Sequence, residues 1–182
     1  MGLYCDIIRL KDESIDKCLE LKEKQTELYL FIQNTDPDNW FELDKAWHGI
    51  HSVLSTGSTE AETKFLLEKG IILRDYNWEE IYGVSVTDMR AFTREETLKI
   101  NSAIYGISDT DFKKMYDQKM MNRKDIYPHI WKESSSLTKF FGVRTKKDQF
   151  AQDFITTNFT KLKNFIQETS EKQMGIIIKY HQ

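Results

Sequence analysis

The two runs LYCDIIRL (residues 3–10) and MGIIIKY (174–180) constrain the fold most strongly. Both concentrate β-branched and aromatic residues, which fit a pleated, packed surface better than a helix. A third candidate strand is IYGVSVTDM (81–89), where Tyr82, Val84 and Val86 alternate with Gly83 and Ser85. Strands at both ends and in the middle, with helical patterns between them, predict a mixed sheet covered by helices.

The intervening helices announce themselves by spacing and caps. From Ser14 to Ile32 a partly amphipathic pattern, carried by Ile15, Cys18, Leu19, Leu28 and Phe31, is interrupted near its middle. NTDPDN (34–39) is turn chemistry throughout, because Asn and Asp bond their own backbone and Pro37 presets φ. Leu43, Ala46, Trp47, Ile50, Val53 and Leu54 then gather on one face of a predicted helix that ends in the loop STGSTE. AETKFLLEKG reads as a short helix closed by Gly70. Thr93 with Glu96 forms a capping box, and Ser108 with Asp111 repeats that logic ahead of the helical run DFKKMYDQKMMN. Pro128 breaks the chain at IYPHIW, a KESSS loop follows, and Phe150, Phe154, Ile155, Phe159, Leu162, Phe165 and Ile166 mark a long amphipathic helix.

Composition bounds the function. The 182 residues, 40% hydrophobic and 30% charged, suit one globular domain over residues 1–182 with a sizeable core. A formal net charge of -3 with both signs interspersed argues against nucleic acid and anionic membrane surfaces as partners. Cys5 and Cys18 have no CxxC or paired-histidine spacing, so they read as reduced thiols and neither a zinc cage nor a disulfide framework is expected. No run is apolar enough for a signal peptide or a membrane span, which points to the cytoplasm. Gly2 does not make a myristoylation motif, because Asp6 stands where Ser or Thr is required.

Chemistry is concentrated in two places. In DKAWHGIHSVLSTG (44–57), Asp44, His48, His51 and Ser55 are spaced to share neighbouring rows of one helix. Asp44, His48 and His51 could approach a metal ion together, yet a second element would have to complete the shell, so an exposed carboxylate–imidazole pair is the simpler account. A Ser–His–Asp triad does not fit, since side chains leaving one helix diverge and no GxSxG elbow is present. Neither GxGxxG nor a P-loop occurs. His51, beside Trp47 at the border of the apolar face, reads as a histidine bonded to a carbonyl. The second place is IYPHIWKE, where Tyr127, His129 and Trp131 suit a pocket wall, a partner surface, or aromatics closing the core.

These segments, in this order, resemble the YfbM-like family of small bacterial proteins of unknown function. The resemblance rests on Asp44, Lys45, Trp47, His51, Leu54 and Gly57, on IYGVSVTDMRAFTREE, on Tyr116 with Asp117 and on Tyr127 with Pro128, covering about residues 43–180. His48 falls outside the family pattern, and LSTG carries one residue more than it between Leu54 and Gly57. The resemblance implies a bacterial protein with a compact three-layer α/β arrangement and no established activity. The reading is therefore of a mixed α+β, cytoplasmic, non-enzymatic binding or regulatory domain of the immunity-protein or adaptor type. It is expected to use a protein partner, without cofactor, metal, nucleic acid or membrane. Its candidate surface is Asp44, Trp47, His51, Tyr127, His129 and Trp131. The rival is a small-molecule or metal-dependent enzyme with a site around Trp47, His51 and Tyr127.

Overall fold

The computed structural model describes residues 3–57, 89–131 and 146–181. In chain order the elements are β1 (Tyr4–Leu10), α1 (Asp12–Glu20), α2 (Gln25–Gln33), a 3-10 turn (Pro37–Asn39), β2 (Trp40–Asp44), α3 (Trp47–Gly57), β3 (Met89–Phe92), α4 (Arg94–Tyr105), α5 (Asp109–Met115), α6 (Gln118–Arg123), α7 (Lys146–Glu171) and β4 (Gly175–His181). The expected helix closed by Gly70 and nearly all of the expected strand 81–89 lie outside the described residues. The fold class is mixed α+β. The chain divides into two compact units.

The first unit holds β1, α1, α2, β2, β3, α4, the C-terminal part of α7, and β4. Its four strands order as β2-β1-β4-β3. The two β-branched runs at the chain ends are thus the inner strands, paired from Tyr4↔His181 to Leu10↔Gly175. That position explains why nearly every residue in them is buried: an inner strand covered above and below has little solvent side. The sheet, expected to be mixed, is antiparallel in every pairing that the described residues form. Each strand enters beside its neighbour from the opposite end, whereas a parallel pair would need a crossover back to the same end.

Within this unit the sheet is the middle of three layers. Ile8, Leu10, Met89 and Ile177 pack on one face with Ile15 and Cys18 of α1 and Leu28 and Ile32 of α2. On the other face Phe41 stacks on Phe165 of α7 at 5.2 Å, and Arg9 lies over the same ring. The Arg9 guanidinium, 5% exposed, is satisfied by Asn39 Oδ1, the Asp38 carbonyl and Glu168. Gly175 opens β4 where a Cβ would collide with Ile15 Cδ1 and the Phe92 carbonyl, so no larger residue fits that crossing. The expected interruption after α1 is present as residues 21–24, and the Thr93–Glu96 capping box forms at α4.

The second unit holds α3, α5, α6, the Tyr127–Trp131 segment and the N-terminal part of α7. Phe112 of α5 stacks on Phe159 of α7 at 4.1 Å. The predicted run DFKKMYDQKMMN is two helices, because the Asp117 side chain accepts from the backbone N–H groups of Lys119 and Met120 and starts α6 afresh. Phe150, counted with the apolar face of α7, is 63% exposed at its outer end.

Candidate functional site

Strand alternation places Tyr4 and Asp6 on the sheet face that carries Ile8 and Leu10, and puts Lys179 and His181 on the face of Ile177. α1 and α2 cover the apolar half of that face. At its other end a cavity of about 310 Å³ is lined by Tyr4 and Asp6 of β1, Glu42 and Asp44 of β2, and His181 of β4. A bulge shapes its rim: Asp6 pairs with Glu42 but Cys5 pairs with Asp44, leaving Leu43 as the extra residue. Asp44 takes φ 52° there, a left-handed conformation that Asp tolerates better than most residues.

The electrostatics of this pocket are unequal. Asp6 is 8% exposed, and burial pushes its carboxyl above the usual carboxylate range. His181 pulls it back down, Glu42 across the strand raises it further, and Lys179 lowers it. His181 Nε2 lies 2.9 Å from Asp6 Oδ2, and its ring stacks on Tyr4 at 5.6 Å. That nitrogen is shielded from solvent and makes no well-angled hydrogen bond among the described residues, so its approach to Asp6 is close but poorly aligned. Lys179 Nζ turns to the ring of Tyr29, 5.6 Å away. Three carboxylates, an imidazole and a phenol ring thus line one cavity, and its carboxylates can accept donors from a positively charged group. The neighbouring Cys5 thiol is raised well above its ordinary value by burial and by Asp6, and burial pushes Cys18 up to about 11, so both are unreactive at neutral pH.

Of the residues singled out by sequence, Asp44 lines this pocket as part of β2. It was expected on a helix with His48, His51 and Ser55. Instead α3 begins only at Trp47, because WFELD pairs as a strand and the left-handed Asp44 ends it.

The other residues lie in the second unit. Trp47 is fully buried and stacks with His48 at 5.0 Å, and the Tyr127 ring is 6.0 Å away. His48, 3% exposed, accepts the Tyr127 N–H at Nδ1 over 3.2 Å. Trp131 is fully buried and its Nε1–H donates to the Ile126 carbonyl. Gly49 lets the Trp131 ring approach α3, since a Cβ there would stand 2.7 Å from Cη2 of that ring. His129, at φ 64°, pairs with Asp125 at 3.0 Å. His51 is half-buried on α3, and Ser55 donates to its backbone carbonyl. The structure therefore joins Trp47, Tyr127 and Trp131 through His48 and Gly49, as packed ring bodies. Among the described residues no group of three His, Cys, Asp or Glu side chains is arranged to hold a metal ion.

Sequence reasoning passed over Asp6, Glu42 and His181. The signal was there: Asp6 interrupts an apolar strand on one face, and Lys179 and His181 do the same in GIIIKYH.

A family described as "Domain of unknown function (DUF1877)" matches residues 1–179. No curated protein matches. Among solved structures, that of a protein of unknown function, YfbM from Escherichia coli, is similar with a TM-score of 0.63 at 14% identity, covering 98% of this chain and 99% of that one. At that identity the likeness is one of fold.

Proposed function

The chain belongs to the DUF1877 family, whose description names no activity, and we propose from the site's geometry that it is a non-enzymatic binding domain that captures a cationic side chain of a protein partner. The observation that carries this reading is the pocket lined by Asp6, Glu42 and Asp44 beside the stacked Tyr4 and His181. Its volume, about 310 Å³, is at the small end for ligand sites and suits one side chain better than a large metabolite. Carboxylates supply the counter-charge and the fork of acceptors that a guanidinium or ammonium group requires, and an aromatic ring offers a face for a cation. An adaptor or immunity-type role in the bacterial cytoplasm fits such a recognition pocket. Two buried free thiols and the lack of any membrane-spanning helix among the described residues are in keeping with it. A site around Trp47, His51 and Tyr127 has less to offer, because the Trp47 and Tyr127 rings are spent on packing.

The test is a titration of the protein with a capped pentapeptide carrying one central arginine, alongside its lysine and citrulline counterparts, followed by backbone amide shifts. The two cationic peptides should move the amides of Tyr4, Asp6, Glu42 and His181, and the citrulline peptide should not. Glu42→Gln combined with Asp44→Asn should weaken binding about tenfold or more, the scale of losing charge-assisted acceptors. Cationic peptides that leave these amides unmoved would remove the basis for the reading.

A further inference from the structure

The register of the sheet lines up rows of side chains that run across the strands, because paired residues point to the same face. One row reads Lys179, Asp6, Glu42 and the next Ile177, Ile8, Trp40, from β4 through β1 to β2. Both rows stop at β2, and among the described residues no strand pairs with its outer side. β2 contains no proline, so each of its residues keeps a backbone donor, and the bulge at Leu43 lies beyond the regular stretch Trp40–Glu42. An edge of this kind is a template for a further strand. Its charge selects the occupant. Residues 36–44 carry Asp36, Asp38, Glu42 and Asp44, all exposed, and no Lys or Arg. Two copies meeting edge to edge would set these acids against one another, which disfavours a homodimer through β2.

We propose that the protein partner binds as an added strand along the outer edge of β2, with a cationic residue beside Glu42 and an apolar residue two positions away beside Trp40. This rests on the binding reading above and adds the form in which the cation arrives. A residue opposite Glu42 on the added strand stands on the pocket's face with its Cβ about 5 Å away, so a long cationic side chain there reaches the carboxylates from the strand itself. It completes the row as two cations flanking two acids. The residue two along falls on the same face beside half-buried Trp40, which packs at the margin of the core under α1 and α2, and an apolar side chain there extends the second row. Backbone hydrogen bonds supply affinity, and the two side chains supply selection.

The test uses the wild-type protein and a capped peptide of threonines with a central arginine and a valine two positions to either side of it. Amide hydrogen exchange is followed with and without saturating peptide. The β2 amides that point away from β1, at alternate residues, should slow by about tenfold or more on binding. Two N-methylated isomers are then compared, one methylated on the arginine nitrogen and one on the two flanking threonine nitrogens. Only alternate nitrogens of a strand face its neighbour, so one isomer should bind at least about fivefold more weakly than the other. Serine in place of both valines should weaken binding as well. Pocket amides that shift while the outward β2 amides keep their free rate, isomers that bind alike, or a serine peptide that binds as well as the parent overturns the strand addition and leaves the binding reading standing. Dimerisation of the protein alone, with the same amides protected, gives the edge to a second copy and overturns it too. Failure of the arginine peptide and its lysine counterpart to bind at all removes the two readings together.

Discussion

His48 shows how a single side chain can look like chemistry and act as structure. Its Nδ1 accepts the Tyr127 amide, so the ring proton sits on Nε2 and the imidazole serves as a fixed acceptor. His48→Ala leaves a buried N–H unpaired and a gap beside Trp47. It should cost about 1–3 kcal/mol in urea unfolding. His48→Asn, whose amide oxygen can reach toward the same N–H, should recover part of that loss; equal damage from both would show that the acceptor is immaterial. Asp6 presents the opposite case, a charge retained at an energetic cost. Its pKa is raised in the folded protein above its unfolded value. The stability it contributes is therefore fully present below the unfolded pKa and lost as pH rises through the folded one. Asp6→Asn does not titrate, so relative to wild type it should gain stability between about pH 4 and neutrality, by about 1.4 kcal/mol for each pH unit that separates the folded from the unfolded pKa. Urea unfolding of both proteins at the two pH values reads the difference, and an unchanged gap would argue against an ionisation cost at this site. The mixture of roles explains why residue type alone was a poor guide: the histidines flagged by spacing are packed or paired on α3 and after Pro128, while His181 gains its setting from a strand partner far away in sequence.

At the scale of elements, features made by neighbours in sequence were legible and boundaries between competing periods were not. The Thr93–Glu96 box needs only residues within one turn, and it forms as read. Thr93→Ala should destabilise by about 0.5–2 kcal/mol in thermal or urea unfolding, and a neutral result would mean that the N–H groups find other acceptors. Around residues 43–47, by contrast, WFELD carries a strand period that runs directly into the helix period of α3, so Leu43 and Asp44 satisfy both patterns. Pairing with β1 resolves the tie in favour of the strand. α3 also carries a glycine that helix propensity alone would disfavour. Gly49→Ala should gain about 1 kcal/mol in propensity, yet its Cβ would meet the Trp131 ring at 2.7 Å and Ile155 Cγ2 at 3.0 Å. Overpacking of that kind costs about 1–3 kcal/mol, so the net expectation is a loss. A stabilised Gly49→Ala would mean that the Trp131 ring yields freely.

For the molecule as a whole, the sheet order makes the first and last described strands inner neighbours, joined along their whole length. Hydrogen exchange should therefore be slowest at the amides of Ile7, Ile8, Ile177 and Ile178, which lie in inner strands and are fully buried. Slower exchange in α1 would contradict that. The α+β class, the apolar inner strands, the helix caps and the long α7 followed from the chain alone, because each depends on side-chain period or on groups a few residues apart. Strand order, the antiparallel pairing, the bulge at Leu43 and the meeting of Asp6, Glu42, Asp44 and His181 depended on contacts between residues distant in sequence. Alternation reports which face a side chain takes. It carries no information about which strand lies beside it, and that neighbour is what turns an isolated buried acid into a pocket.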